Sequence, residues 1–110
     1  MKQVALSELA DQPVSHNPAI LKKVMLACGD LPVLTNFSQA RFGPGQVSPG
    51  HIHTDMAEVF FTENGRGEIE VDGVIVVLTP GRCVAVSAGE WHEIRAGEEG
   101  LVLTYFGLQV

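Results

Sequence analysis

Charged, aromatic and sulfur-containing residues are all scarce in this chain of 110 residues. Charged residues make up 18% of it, and it contains one Trp, one Tyr and two Cys. Cys28 and Cys83 are too far apart for a CxxC motif, so we expect reduced, buried thiols rather than a disulfide. Hydrophobic residues still reach 45%, which favours a globular domain over a disordered segment.

Basic residues are also few, and this limits the expected partners. Seven Lys and Arg against thirteen Asp and Glu give a net charge of -6. An acidic surface repels phosphate backbones and anionic lipid headgroups, so we expect neither nucleic acid nor a membrane as partner. No apolar run approaches the length that spans a bilayer, and the first eleven residues do not resemble a secretory signal. The expected location is therefore cytoplasmic.

Glycine and proline, by contrast, recur at short intervals along the chain. Twelve Gly and six Pro separate short runs rich in Val, Ile, Leu, Phe and Thr. Short runs of this kind, bounded by turn residues, predict β-strands. The predicted strands are Ile20–Ala27, Val33–Phe42, Glu58–Thr62, Gly67–Val71, Val74–Leu78, Cys83–Val86, His92–Arg95 and Leu101–Gly107.

Turn signals between these runs predict how the strands connect. Asp72-Gly73 can supply the positive φ angles of a tight hairpin, and Asn64-Gly65 predicts a second hairpin. Only one helical turn is expected, near Ser7. Many short strands with regular turns indicate a sandwich or a barrel, and no linker or repeat divides the chain. We predict one all-β domain over residues 1–110.

Three histidines and one glutamate stand at informative positions. His51 and His53 are two residues apart, so on a strand both rings project from the same face. Glu58 follows five residues later, and His92 comes from a distant segment. Imidazole and carboxylate ligands together suit first-row divalent metals. Spacing alone leaves metal binding and ordinary surface or core histidines equally open. His16 lies outside this pattern, and we assign it no role.

Two longer motifs surround these residues. Residues 45–65 run from Gly45 as glycine, five residues, His-x-His, four residues, glutamate, six residues and a final glycine. Residues 81–96 carry Gly81, Gly89 and His92 at matching intervals. Both segments resemble the two motifs of the cupin family. Ser87 stands where that family usually has proline, and Ala96 where it usually has asparagine, but neither position is a ligand in the family.

The resemblance implies a fold, a metal site and an assembly. The fold is a double-stranded β-helix, also called a jelly-roll or cupin barrel. The site is one divalent metal ion per chain (Mn, Fe, Ni, Co or Zn), held by His51, His53, Glu58 and His92. The implied assembly is a homodimer, which would also cover exposed sheet edges.

The function is narrowed but not fixed, because similar cupins include decarboxylases, dioxygenases and sugar isomerases as well as plain binding proteins. The first hypothesis is a metal-dependent enzyme acting on a small oxygen-rich metabolite, a hydroxy or keto acid, a sugar or an enediol. It would use Lewis-acid or O2 chemistry. The alternative is a non-catalytic, metal-anchored module that binds a sugar or small acid.

Three residues are candidates for catalysis. Glu58 either ligates the metal or swings away from it to move a proton. Arg41, on the strand before the first motif, could receive a substrate carboxylate, or it could simply be an exposed surface residue. Tyr105, in the last predicted strand, could donate a proton or a hydrogen bond in the cavity, or it could lie at the rim or in the core. If Glu58 faces inward, Phe60 does too, and would give the cavity an apolar wall.

Overall fold

The computed structural model describes all 110 residues, and it is built almost entirely of antiparallel strands. A single turn of 3-10 helix at Leu6–Glu8 precedes eight strands. These are β1 (Gln12–Val14), β2 (Asn17–Ala27), β3 (Leu34–Phe42), β4 (Val47–Ile52), β5 (Met56–Val71), β6 (Val74–Leu78), β7 (Cys83–Val86) and β8 (Trp91–Gln109). The main sheet has the order β1-β2-β3-β8-β5-β6, with β4 added on β8 and β7 on β5. This is the predicted all-β jelly-roll.

Two long strands, β5 and β8, form the frame of the barrel. They pair with each other over nearly their whole length, and each changes its other neighbour halfway along. The first half of β5 pairs with β7 and its second half with β6, whereas β8 pairs first with β4 and then with β3. Each long strand therefore passes from one side of the barrel to the other.

The bend in these strands corrects one sequence prediction. Asn64-Gly65 is no hairpin turn, because both residues lie within β5, beside two irregularities in its pairing with β8. Gly65 has a φ of +82°, and a Cβ there would stand 2.2 Å from the carbonyl oxygen of Gly100. Two backbones approach this closely only where glycine stands, so the bend needs that residue. Four of the predicted strands thus merge into two.

Of the other local predictions, one is confirmed and one was incomplete. The Asp72-Gly73 hairpin is confirmed, with φ angles of 46° and 83°. The predicted strand set omitted β1 and β4, and β4 contains Pro49 and Gly50, two residue types that are typical of loops.

The short 3-10 helix is too short and too polar to cross a membrane, and no other helix is present.

The cysteines are free, as expected, but the prediction that they are buried was wrong. Cys28 lies in the turn after β2, and Cys83 begins β7 on its outward face. Val86, on the inward face of β7, is only 2% exposed. Period-two alternation, rather than the apolar character of cysteine, thus decides the position of Cys83.

Alternation along the strands also forms the core. On β3 the buried residues are Ser38, Ala40 and Phe42, and on β5 they include Glu58, Phe60 and Thr62. The apolar core consists of Ile20, Ala40, Phe42, Phe60, Ile69, Leu78, Val86, Ile94, Ala96, Leu101 and Leu103. Glu58 and His92 are buried beside this core.

Candidate metal centre

A cavity of about 180 Å³ lies inside the barrel. A cavity of this size has room for a small metabolite. Part of its wall is apolar, formed by core residues such as Phe42, Ile94 and Leu103. All three histidines of the two motifs, together with Glu58, line another part of it.

Strand pairing brings the histidines together. His51 on β4 is the direct cross-strand partner of His92 on β8, and their ring centroids are 4.4 Å apart. His53 follows the end of β4, and its ring centroid lies 4.6 Å from that of His51. The His-x-His spacing therefore places both rings on the cavity side, as predicted.

Glu58 completes the cluster from β5. Its carboxylate is buried, with 7% of the residue exposed. Oε1 lies 3.2 Å from Nε2 of His92 and 3.3 Å from Nε2 of His53. Phe60, two residues along the same strand, also faces inward and lines the cavity, as the alternation predicts.

Backbone carbonyls orient two of the imidazole rings. Nδ1 of His51 lies 2.8 Å from the carbonyl oxygen of Pro49, and Nδ1 of His92 lies 3.1 Å from that of Glu90. Because a carbonyl oxygen only accepts, each Nδ1 must carry the proton that it donates. In a neutral ring, Nε2 is then left with the lone pair that can bind a metal. Without a metal, the hydrogen bond from Nε2 of His92 to the Glu58 carboxylate requires a second proton on that ring.

The arrangement fits a divalent metal ion. One ligand atom from each of His51, His53, Glu58 and His92 lies within 4.8 Å of the others. With metal–ligand bonds of about 2.1 Å, ligands on adjacent positions stand about 3.0 Å apart, and those on opposite positions about 4.2 Å apart. The two distances from Glu58 to imidazole nitrogens match the adjacent spacing. Slight contraction of the cluster would close it around an ion.

Charge also favours a cation here. Glu58 forms ion pairs only with His53 and His92, and with no Lys or Arg. Burial lowers the pKa of His92, but its hydrogen bonds with Glu58 and with the Glu90 carbonyl outweigh burial and raise it. Burial and the neighbouring imidazoles lower the pKa of His51. Without a metal, a proton on His92 is thus the available counter-charge for the buried carboxylate.

A fourth histidine, to which we had assigned no role, also reaches the site. His16 stands in the turn between β1 and β2, and its ring stacks on that of His51 with centroids 3.7 Å apart. Asn17 anchors this turn by donating a hydrogen bond of 2.8 Å to the carbonyl of Val47 on β4. Partial burial and the neighbouring His51 lower the pKa of His16. No sequence motif marks it, because only the β1–β2 pairing brings it there.

Tyr105 lies in the cavity wall, as one of the predicted alternatives required. Its ring stacks on Phe60 with centroids 5.6 Å apart. Burial and the negative charge of Glu58 raise the pKa of Tyr105 to about 12. The phenol therefore keeps its proton at neutral pH and can donate a hydrogen bond, but does not act as a base.

Arg41 does not join the site, so of its two expected positions the exposed one is correct and the role in binding a substrate carboxylate is not supported. Its guanidinium pairs with Asp11 on the outer surface. Its neighbours Ala40 and Phe42 are the ones that face inward and line the cavity. Arg41 lies on a strand that borders the cavity, but side chains alternate between the two faces of β3, and that of Arg41 points away from the cavity. The basic residue that does line the cavity is Lys22, on β2.

Comparison with protein families supports this picture. The family model described as "Cupin domain" matches residues 38–106, which include all four candidate ligands. No curated protein matches the chain significantly.

Several solved structures share the fold. A predicted oxalate decarboxylase from Thermotoga maritima superposes with a TM-score of 0.90 at 19% identity, covering 99% of this chain and 100% of that one. KdgF from Halomonas sp. gives 0.83 at 23% identity, covering 100% and 96%. An RmlC-like cupin from Shewanella frigidimarina gives 0.77 at 20% identity, covering 99% and 94%. At these identities the likeness establishes the fold alone.

Proposed function

The chain belongs to the cupin family, and on that premise we propose that it is a metal-dependent enzyme acting on a small oxygen-rich metabolite. The proposal is carried by one observation, the convergence of His51, His53, Glu58 and His92 on one wall of a small cavity. One divalent ion per chain, Mn, Fe, Ni, Co or Zn, would bind there.

Such an ion would supply Lewis-acid chemistry toward the oxygen atoms of a hydroxy acid, keto acid, sugar or enediol, or, as iron, O2 chemistry. The protein supplies the surroundings. Phe60, Ile94 and Leu103 exclude water from part of the cavity. Tyr105 donates a hydrogen bond to a substrate oxygen. Glu58 acts mainly as a ligand, and the alternative is that it carries a proton.

One related structure bears on the size of the ligand. The structure with the TM-score of 0.90 is described as a predicted oxalate decarboxylase, which would act on a two-carbon acid. A cavity of about 180 Å³ suits molecules of that class. The identity of 19% is too low to carry that substrate over to this chain.

The test is turnover by the metal-loaded protein. A panel of small hydroxy acids, keto acids and sugars is incubated with it, products are followed by NMR, and O2 consumption is recorded. We expect one class to be converted, and conversion to be lost both in His51→Ala and after chelation. Turnover that survives complete removal of the metal would contradict the proposal.

A second candidate is a binding module without catalysis, anchored by the same metal. It is favoured by the position of Arg41, which points outward and leaves few groups in the cavity that handle protons. Saturable binding of an acid or sugar that is recovered unchanged, across the whole panel, would support this candidate over the enzyme.

We also propose that the chain forms a homodimer. β6 is the last strand of the sheet path, and its Val74, Ile75 and Val77 are exposed by 64%, 54% and 43%. An apolar edge strand benefits from cover by a second chain. Light scattering coupled to gel filtration should give twice the chain mass at micromolar concentration, and a monomer mass would contradict this.

We also propose that the protein is cytoplasmic. Cys28 and Cys83 are both exposed and unpaired, which suits a compartment that keeps thiols reduced. Cell fractionation should recover the protein with soluble cytoplasmic markers, and recovery outside the cytoplasm would contradict this.

A further inference from the structure

One lysine faces the interior of the barrel. Lys22 lies two residues after Ile20 on β2, and Ile20 is fully buried. Its cross-strand partner on β3 is Ala40, whose own partner on β8 is Leu103, and both are buried. Because residues paired directly across a sheet share one face, the Lys22 side chain belongs to the inner face and lines the cavity.

This ammonium group lacks an anionic partner within the protein. The ion pairs of the chain involve Lys2, Arg41, Arg95 and the histidines beside Glu58. Lys22 takes part in none of them and in none of the side-chain hydrogen bonds, and it is half-buried. Its neighbour Lys23 instead donates to the backbone carbonyl of Leu9.

Lys22 is also the only Lys or Arg in the cavity wall. The only carboxylate there, that of Glu58, is engaged by His53 and His92. A lysine among apolar core residues is unfavourable unless its head group reaches water or an anion. With a divalent ion bound, the ion, Glu58 and Lys22 together leave the cavity net positive. Such a cavity attracts anions.

We propose that the ligand is a small carboxylic acid, one carboxylate of which pairs with Lys22 while its other oxygen atoms face the four-ligand cluster. Only the contact between the acid and the four-ligand cluster rests on the proposed function; the pairing with Lys22 does not. β2 is separated from β5 by β3 and β8, so Lys22 belongs to a different wall from Glu58. Lys22 therefore selects acids with a second anionic group over neutral sugars and monoacids.

The experiment compares two acids with the same four-carbon chain. Malate and 2-hydroxybutyrate share the hydroxy-acid end that would chelate a metal, and only malate has a second carboxylate. Binding to the metal-loaded full chain is measured by calorimetry. Since a hydrogen bond to a charged group contributes roughly 1.5–3 kcal/mol, we expect malate to bind about tenfold more tightly or better.

Three variants assign that preference to Lys22. Lys22→Met keeps the length of the apolar stem and removes the charge, so it should abolish the malate preference and leave 2-hydroxybutyrate binding within about twofold. Lys22→Arg keeps the charge and should retain most of the preference. Lys23→Met is the matched control, one residue along the same strand on the opposite face, and it should behave as wild type.

The readouts separate the two proposals. Metal content, measured on each sample, reports on the cluster, and the ratio of the two dissociation constants reports on Lys22. Wild-type protein that holds metal but binds both acids equally would overturn the Lys22 proposal, as would a preference that persists in Lys22→Met. Lack of metal in wild-type protein would overturn the proposed function instead, and the preference for succinate over butyrate would then test Lys22 without a metal.

Discussion

Two clusters of ionisable side chains stand on opposite faces of β5 and β8, and they have opposite electrostatic characters. On the outer face, the Arg95 guanidinium donates to Glu68, Glu70 and Glu93 at 2.9, 3.0 and 2.6 Å. On the inner face, the Glu58 carboxylate contacts only imidazole nitrogens. Alternation along β8 turns His92 inward and Glu93 outward, while His51 and His53 of the inner cluster come from β4 and the residue after it.

The difference shows what makes one cluster structural and the other receptive to a metal. The three outer carboxylates raise the pKa of Arg95 further above its usual value, so this cluster has a permanent cation of its own. The inner cluster has a buried carboxylate and imidazoles that offer lone pairs, but no permanent cation. A divalent ion would supply that charge, and the outer cluster needs none.

The largest expected effect comes from removing a histidine of the inner cluster. At a metal concentration about 100 times Kd, binding should stabilise the fold by about 2.7 kcal/mol, which raises Tm by about 10 °C in a domain of this size. His92→Ala should lose this metal-dependent rise. Arg95→Lys, on the outer face, should keep it. Equal metal-dependent shifts in both variants would contradict the assignment of the site to the inner cluster.

Lowering the pH should distinguish the inner cluster from the outer one almost as strongly as removing a histidine. Histidine must be deprotonated to bind a metal, and the metal-free pKa of His92 is raised, so protons compete with the metal from a higher pH than for an ordinary histidine. Affinity should be full well above the raised pKa of His92, should begin to fall before the pH reaches about 6.5, the value for an ordinary histidine, and should keep falling toward pH 5. Equilibrium dialysis across this range measures it. Affinity that is unchanged to pH 5 would argue against imidazole ligation.

Glu58→Gln tests the charge of the inner cluster at constant shape. A neutral amide oxygen is a weaker ligand, so metal affinity should fall by about tenfold or more, measured by competition with a chelating dye. Glu68→Gln, on the outer face of the same strand, should leave the affinity unchanged. A Glu58→Gln variant that keeps full affinity but loses turnover would assign Glu58 to proton transfer instead.

The smallest effect is expected in the outer cluster. Arg95→Met leaves Glu68, Glu70 and Glu93 close together without their cation, but the cluster is partly exposed and screened by solvent. Stability should therefore fall by only about 1 kcal/mol at low salt, and by less at about 1 M NaCl. Urea titrations at both salt concentrations measure this. A loss that stays the same at both salt concentrations would show that the cluster acts by packing rather than charge.

The parts of the site that follow strand periodicity could be predicted from the sequence. The period of two along a strand is enough to predict that His51 and His53 project from the same face of their strand. It likewise predicts that Glu58 and Phe60 project from the same face of theirs. The family motifs implied that His92 would join them. The same reasoning could not decide between the cavity and the surface for Arg41, because a charged residue on a strand does not reveal which parity faces the core until its neighbours are placed.

The remaining cavity residues depended on long-range pairing. His16 reaches the site through the β1–β2 hairpin, which the sequence does not signal as a strand pair. Lys22 sits in a predicted strand, but its inward direction depends on the register with Ala40. The bend at Gly65 could not be distinguished from a hairpin turn either. Its close approach to Gly100 is a contact between residues far apart in sequence.

The measurement that tests the central claim most directly is the metal content of the wild-type chain. Protein without a tag, purified without chelators and then dialysed against a divalent metal salt, is analysed by elemental mass spectrometry beside His51→Ala. The account predicts close to one ion per wild-type chain and almost none in the variant. Wild-type protein that retains no metal after reconstitution, or a variant that retains as much as wild type, would contradict it.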